Sequence, residues 1–162
     1  MPIWRDFFTT AAEVAGTLSG LIMVALSVNI QRILQVKHLP SRAFAAITSL
    51  LLVLVTGMAA LIPDQRMAAF GAEVLAVSLV GWFSALWAAR QSLDWSSSQR
   101  RSKAQTALGI VLGQAATLPF VVGAGFILGG LRDGLDWIAG GVVFGFILSV
   151  LNAWVLLVEI LR

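Results

Sequence analysis

Glu13 and Glu73 are the residues of this chain best placed to do chemistry, because each falls inside an apolar run long enough to be submerged in lipid. An ionised carboxylate costs about 2.5 to 3.5 kcal/mol at the centre of a bilayer and less near its edge. Each of the two lies about five or six residues into its run, which places both roughly 7 to 9 Å below the outer membrane edge. Carboxylates at one depth on like-oriented helices can converge to coordinate a cation, share a proton or cap neighbouring backbone groups. The surrounding sequence carries an echo, since Ala12-Glu13-Val14 recurs as Ala72-Glu73-Val74 and Ala25-Leu26 as Ala85-Leu86. That echo fits either a parallel duplication of a helix pair or the chance matching of apolar sequence.

Glu13 has company on its own helix. Thr10, Glu13, Thr17, Gly20, Val24, Ser27 and Gln31 recur at alternating spacings of three and four, which at 100° per residue keeps them within an arc of about 100°. Six of the seven are polar or glycine while the rest of the segment is mostly apolar. Such a stripe faces protein or water rather than lipid. It reads either as the wall of an ion or solute path or as a tight helix interface whose hydroxyls bond internally. Glu73 shares a face with Ser84 and Gln91, but Val77, Val80 and Trp87 interrupt it. Deeper polar groups are Gln114, Asn29 and Asn152, each suited to an interhelical hydrogen bond or to the lining of a path, while Glu159 pairs with Arg162 as an interfacial charge.

Small residues mark the close contacts. Gly141, Gly145, Ser149 and Ala153 form a ladder at four-residue spacing, and Gly109, Gly113 and Thr117 form a second one. Such ladders let helix backbones approach, within one chain or between copies. Pro119 is expected to kink its helix and to free a carbonyl near Gln114 or Thr117. Enzyme signatures are missing: there is no His-Glu-x-x-His and no glycine-rich phosphate loop with its lysine, and the lone histidine, His38, lies outside the apolar runs. Ser19, within Gly16-Thr17-Leu18-Ser19-Gly20, has no base in reach and reads as a packing residue. With no cysteine there is neither a disulfide nor a thiolate site.

The elements that must position these groups follow from composition. The chain of 162 residues is 59% hydrophobic and 12% charged, with a mean hydropathy of +0.91, where soluble domains carry about a quarter charged residues. Five stretches, from about Phe8 to Ile30, Phe44 to Ile62, Met67 to Ala89, Ala107 to Leu128 and Trp137 to Val158, reach the roughly 20 residues that a bilayer core requires. None shows the alternation of a membrane β-strand, and the first is expected to stay attached rather than act as a cleaved signal. No domain boundary interrupts them.

Charge sets the expected orientation. Arg32, Lys37, Arg42, Arg90, Arg100, Arg101, Lys103 and Arg162 flank one side, and Arg5, Arg66 and Arg132 the other. Because basic residues are retained on the cytoplasmic side, the N-terminus is expected outside and the C-terminus inside. The net charge of +3 belongs to these loops, so nucleic acid is not an expected partner. The polar loop from Gln91 to Lys103 reads as a topology anchor that can also touch anionic headgroups.

The closing Leu151-Asn152-Ala153-Trp154-Val155-Leu156-Leu157-Val158-Glu159-Ile160-Leu161-Arg162, the opening Trp4-Arg5-Asp6-Phe7-Phe8 and the segment Ser27-Val28-Asn29-Ile30 carry a resemblance. Nearly end to end, the chain resembles a group of small, uncharacterised bacterial polytopic membrane proteins. Some members bear the label of modulators of the membrane-anchored AAA protease. The resemblance implies a bacterial membrane setting and supplies no site residues.

The sequence thus predicts an all-α transmembrane bundle of five helices in one domain, multi-pass in a bacterial inner membrane and homo-oligomeric. Two functions stand open. The first is a channel or transporter for a cation or proton, with Glu13, Glu73 and Thr17 forming a buried site near the outer face and Thr10, Ser27, Gln31, Asn29, Gln114 and Asn152 lining a path or interface. The second is a non-catalytic regulatory or lipid-organising subunit, such as a modulator of a membrane protease, working through Gly141, Gly145, Ser149, Ala153, Gly109 and Gly113. An enzyme is not expected, no cofactor is implied, and the expected partners are the lipid bilayer, further copies, another membrane protein and a cation.

Overall fold

Long apolar runs become helices in a bilayer because a helix satisfies every backbone N–H and C=O within its own segment. The computed structural model describes residues 2–35, 39–96, 103–131 and 133–161. Among these residues there are six helices and no strand: α1 (Pro2–Val28), α2 (Ile30–Gln35), α3 (Leu39–Ala60), α4 (Met67–Ser96), α5 (Lys103–Leu128) and α6 (Gly134–Leu161). All but the short α2 are long and apolar enough to cross a membrane, which is the build of a multi-pass integral membrane protein. Lys37, His38, Ser97, Ser98, Arg100, Arg101, Arg132 and Arg162 lie outside the described residues.

The helices run past the apolar limits read from sequence. α1 starts at Pro2, before the polar Arg5-Asp6, and α4 continues to Ser96. Hydropathy marks where a chain is submerged, and a helix need not stop there. α5 passes through Pro119 as one helix. A further break falls at Asn29, between α1 and α2. There the backbone N–H turns to the Leu26 carbonyl, three residues back. The Asn29 side-chain amide donates instead to the Ala25 carbonyl, at 2.9 Å. A short amide competing for an i−4 carbonyl loosens a helix in just this way.

α3, α4, α5 and α6 close a ring in which each helix packs on the next and α6 returns to α3. α1 lies outside the ring, against α3, and barely touches α6. Half of the α3 span is buried but only 17% of the α1 span. Phe8, Phe70, Phe120 and Ile138 are fully enclosed, with the Phe8 and Phe70 rings 6.1 Å apart. Glycines set how closely the helices cross. A Cβ on Gly57 of α3 would stand 3.0 Å from the Ala12 Cβ and the Phe8 carbonyl oxygen, and one on Gly123 of α5 would stand 2.6 Å from the Gly134 carbonyl oxygen of α6.

The turn between α5 and α6 is built by Gly130, whose φ of 79° is open to glycine at little cost. It lets Gly130 N–H reach the Ile127 carbonyl and Leu131 N–H the Phe126 carbonyl, the paired bonds that terminate a helix at a left-handed residue.

Candidate functional site: the outward face of α1

The α3-facing side of α1 is made by Phe8, Ala11, Ala12 and Ala15, all buried. The small alanines let α3 approach, and Gly57 receives them. Thr10, Glu13, Thr17, Gly20, Val24, Ser27 and Gln31 fall on the opposite side, and every one of the seven is exposed. Gly20 has nothing within 4 Å of where a Cβ would stand. The polar stripe therefore runs down the side of α1 that faces away from its contact with α3. From Thr10 to Ser27 it extends about 25 Å along α1 at 1.5 Å per residue, most of the thickness of a hydrocarbon core, and Gln31 follows it on α2.

The buried two-carboxylate site is corrected by this arrangement. Glu13 and Glu73 are both exposed, because the faces that carry them turn away from α3 and from the ring. Glu73 accepts a 2.7 Å hydrogen bond from the Gln65 side chain, in the turn before α4, which ties it to the outer rim. The Glu13 carboxylate has no partner among the described residues, and no group of three metal-binding side chains occurs among them. Glu13 follows Ala12, which meets Gly57 three residues before the end of α3. It thus lies about 5 Å inside that end.

Two of the three hydroxyls of the stripe share a chemistry. Thr17 Oγ1 donates to the Glu13 carbonyl and Ser27 Oγ to the Met23 carbonyl, both at 2.8 Å. Once their protons are committed to the helix, these oxygens present only acceptor lone pairs outward. With the Glu13 carboxylate they make an oxygen-rich patch suited to a hard cation or its hydration shell, with the donors of the stripe at its two ends, the Thr10 hydroxyl and the Gln31 amide.

The other polar residues divide by role. Gln114 Oε1 accepts from Trp82 Nε1 at 2.8 Å and joins α5 to α4. Asn29, at the break, donates to the Ala25 carbonyl of α1 as described above, and Asn152 is buried on α6. Gly141 makes room for the Phe120 ring of α5 and Gly145 for Val53 of α3. Ser149 Oγ lies 2.7 Å from the Ala46 carbonyl and 2.8 Å from Ser49 Oγ. This part of the ladder is therefore occupied within the chain. Ala153, its last member, lines a groove between α1 and α6. Gly113 opens on empty space, and the surroundings of Gly109 lie outside the described side chains.

Sequence reasoning missed Ser49, although its position three after Ala46 and four before Val53 matches a helix-packing face. It also missed Thr56, whose buried hydroxyl, like that of Ser19, has no hydrogen-bond partner among the described residues. Comparison of the chain with models of protein families, with curated proteins and with solved structures gives no match.

Proposed function

We propose that the chain is one subunit of a homo-oligomer in a bacterial inner membrane, in which the polar faces of α1 from several copies meet and enclose a path for a cation or proton. The observation that carries this reading is the full exposure of the stripe from Thr10 to Gln31 on the side opposite the core. A lipid-facing position gives Glu13 neither water nor a partner, and a charged group there is costly. Copies arranged around a common axis supply both. The outward acceptors at Thr17 and Ser27 favour a cation over an anion. Glu13 stands at the outer mouth of the path, and Glu73, held by Gln65 at the rim, adds negative potential outside it.

The test is ion and proton flux into liposomes. Glu13→Gln is expected to lower cation flux several-fold and Glu73→Gln to leave most of it. Absence of flux in the parent protein, or unchanged flux in Glu13→Gln, overturns the path. Oligomerisation has its own readout. The chain contains no cysteine, so Thr17→Cys reports cleanly on contacts and is expected to give disulfide-linked dimers. Gly20→Leu, which meets nothing in the single subunit, is expected to keep the fold and lose the oligomer. Crosslinking of Thr17→Cys to a different membrane protein would instead favour the regulatory reading, with α1 rather than the α6 ladder as the docking face.

A further inference from the structure

A groove of about 410 Å³ opens between the second half of α1 and the second half of α6. Leu21, Ala25 and Asn29 form one wall and Val150, Ala153 and Trp154 the other. Its lining is almost wholly apolar, and its α1 wall lies on the flank beside the polar stripe, not on the stripe itself. Near α2, Leu26 and Leu156, which also line the groove, pack against Ile33, Leu39 and Ala43. The groove lies between two membrane-spanning helices, and its walls follow α1 towards α2 and Arg32. By proportion to an apolar cavity of roughly 150 Å³ that takes the six carbons of benzene, it has room for about sixteen carbons, the size of an acyl chain.

We infer that this groove binds one acyl chain of an anionic phospholipid from the leaflet at the basic end, with Arg32 meeting the headgroup. The order of chemistry along the wall matches the order along such a lipid. Leu21 and Ala25 come first, then the Asn29 amide, then Arg32, exposed and one turn beyond Asn29. The Ile33 N–H still bonds the Asn29 carbonyl, so the helical step from Asn29 to Arg32 is kept across the break. An arginine at the membrane surface attracts an anionic headgroup, while the apolar walls take the chain. The site is independent of any conduction along the α1 stripe and stands or falls separately from it.

Trp154 is exposed on the groove wall and serves as the reporter. The protein is reconstituted in phosphatidylcholine vesicles containing brominated phosphatidylglycerol or brominated phosphatidylcholine, and the difference between the parent and Trp154→Phe isolates the emission of this indole. Half-quenching is expected at an about fivefold lower fraction of the anionic lipid, the worth of one surface arginine. Arg32→Gln, on an exposed side chain, is expected to abolish the preference while quenching persists. Ala25→Phe, with parental helicity by circular dichroism, is expected to reduce quenching by both lipids. Equal quenching by the two lipids in the parent, or an unchanged preference in Arg32→Gln, overturns the inference. A disulfide-linked dimer formed by Ala153→Cys overturns it too, because a second copy would then occupy the groove.

Discussion

Gly123→Ala adds one methyl group where two backbones meet. The new Cβ would stand 2.6 Å from the Gly134 carbonyl oxygen, 2.7 Å from Ile138 Cγ1 and 3.1 Å from the Ile138 nitrogen. Ordinary contact needs at least 3.4 Å, so α5 and α6 must part by roughly 0.8 Å over a crossing that also seats Ile127 and Ile138. Overpacking of this kind costs about 1 to 3 kcal/mol. Alanine is also the better helix former, by up to about 1 kcal/mol, and that gain must be removed before the packing cost can be read. Gly113→Ala provides the reference. It is the same chemical change on the same helix, at a position with nothing within 4 Å, so the propensity gain cancels in the difference. Gly123→Ala is therefore expected to be about 1 to 3 kcal/mol less stable than Gly113→Ala, a factor of roughly 5 to 150 in the folded ratio. Reversible unfolding in mixed micelles with increasing dodecyl sulfate, followed by circular dichroism, measures it. Equal stability of the two variants would refute the closeness of the α5–α6 crossing.

Two further outcomes follow from named contacts and a third from the charge asymmetry of the loops. Ser149→Ala removes the 2.7 Å donation to the Ala46 carbonyl and is expected to cost about 1 kcal/mol in the same unfolding assay; Ser49→Ala costs less, because Ser149 keeps its bond. Gln114→Leu removes the acceptor of Trp82 Nε1 and is expected to shift the Trp82 contribution to near-ultraviolet circular dichroism, with a loss of stability of about 0.6 to 1.7 kcal/mol. Orientation is read by single cysteines in this cysteine-free chain: Pro63→Cys is expected to react with an impermeant maleimide in intact cells and Gln35→Cys only after lysis.

The five spans were legible because their evidence is length and hydropathy, which a bilayer enforces directly. The extra turn α2 was not, since Asn29 breaks the helix through a local side-chain bond that no periodicity records. The stripe from Thr10 to Gln31 was legible as a face, but its direction was not. In water the polar face of a helix points outward by default; in lipid the same pattern serves an internal contact or a contact with another molecule. Sequence reasoning turned Glu13 inward, and α1 has instead turned its alanines to α3. The ladder on α6 was legible as a set of contacts, while its counterparts Phe120, Val53 and Ser49 came from distant parts of the chain and could not be paired by spacing alone.

The position of α3 sets an order of assembly. A chain made from its N-terminus delivers α1 and α3 first, so Ala12 and Gly57 can seat as a hairpin in the lipid while the ribosome is still translating α4. The α3 surface that receives α6 is filled only when α6, separated from α3 by two helices in the sequence, packs against it. Without α6 the Ser49 hydroxyl keeps only its 3.0 Å bond to the Ala46 carbonyl of its own helix, and the cleft beside Val53 is unfilled. Gly145 and Ser149 close the ring, so α3 is the helix through which α1 and α6 are held in one body.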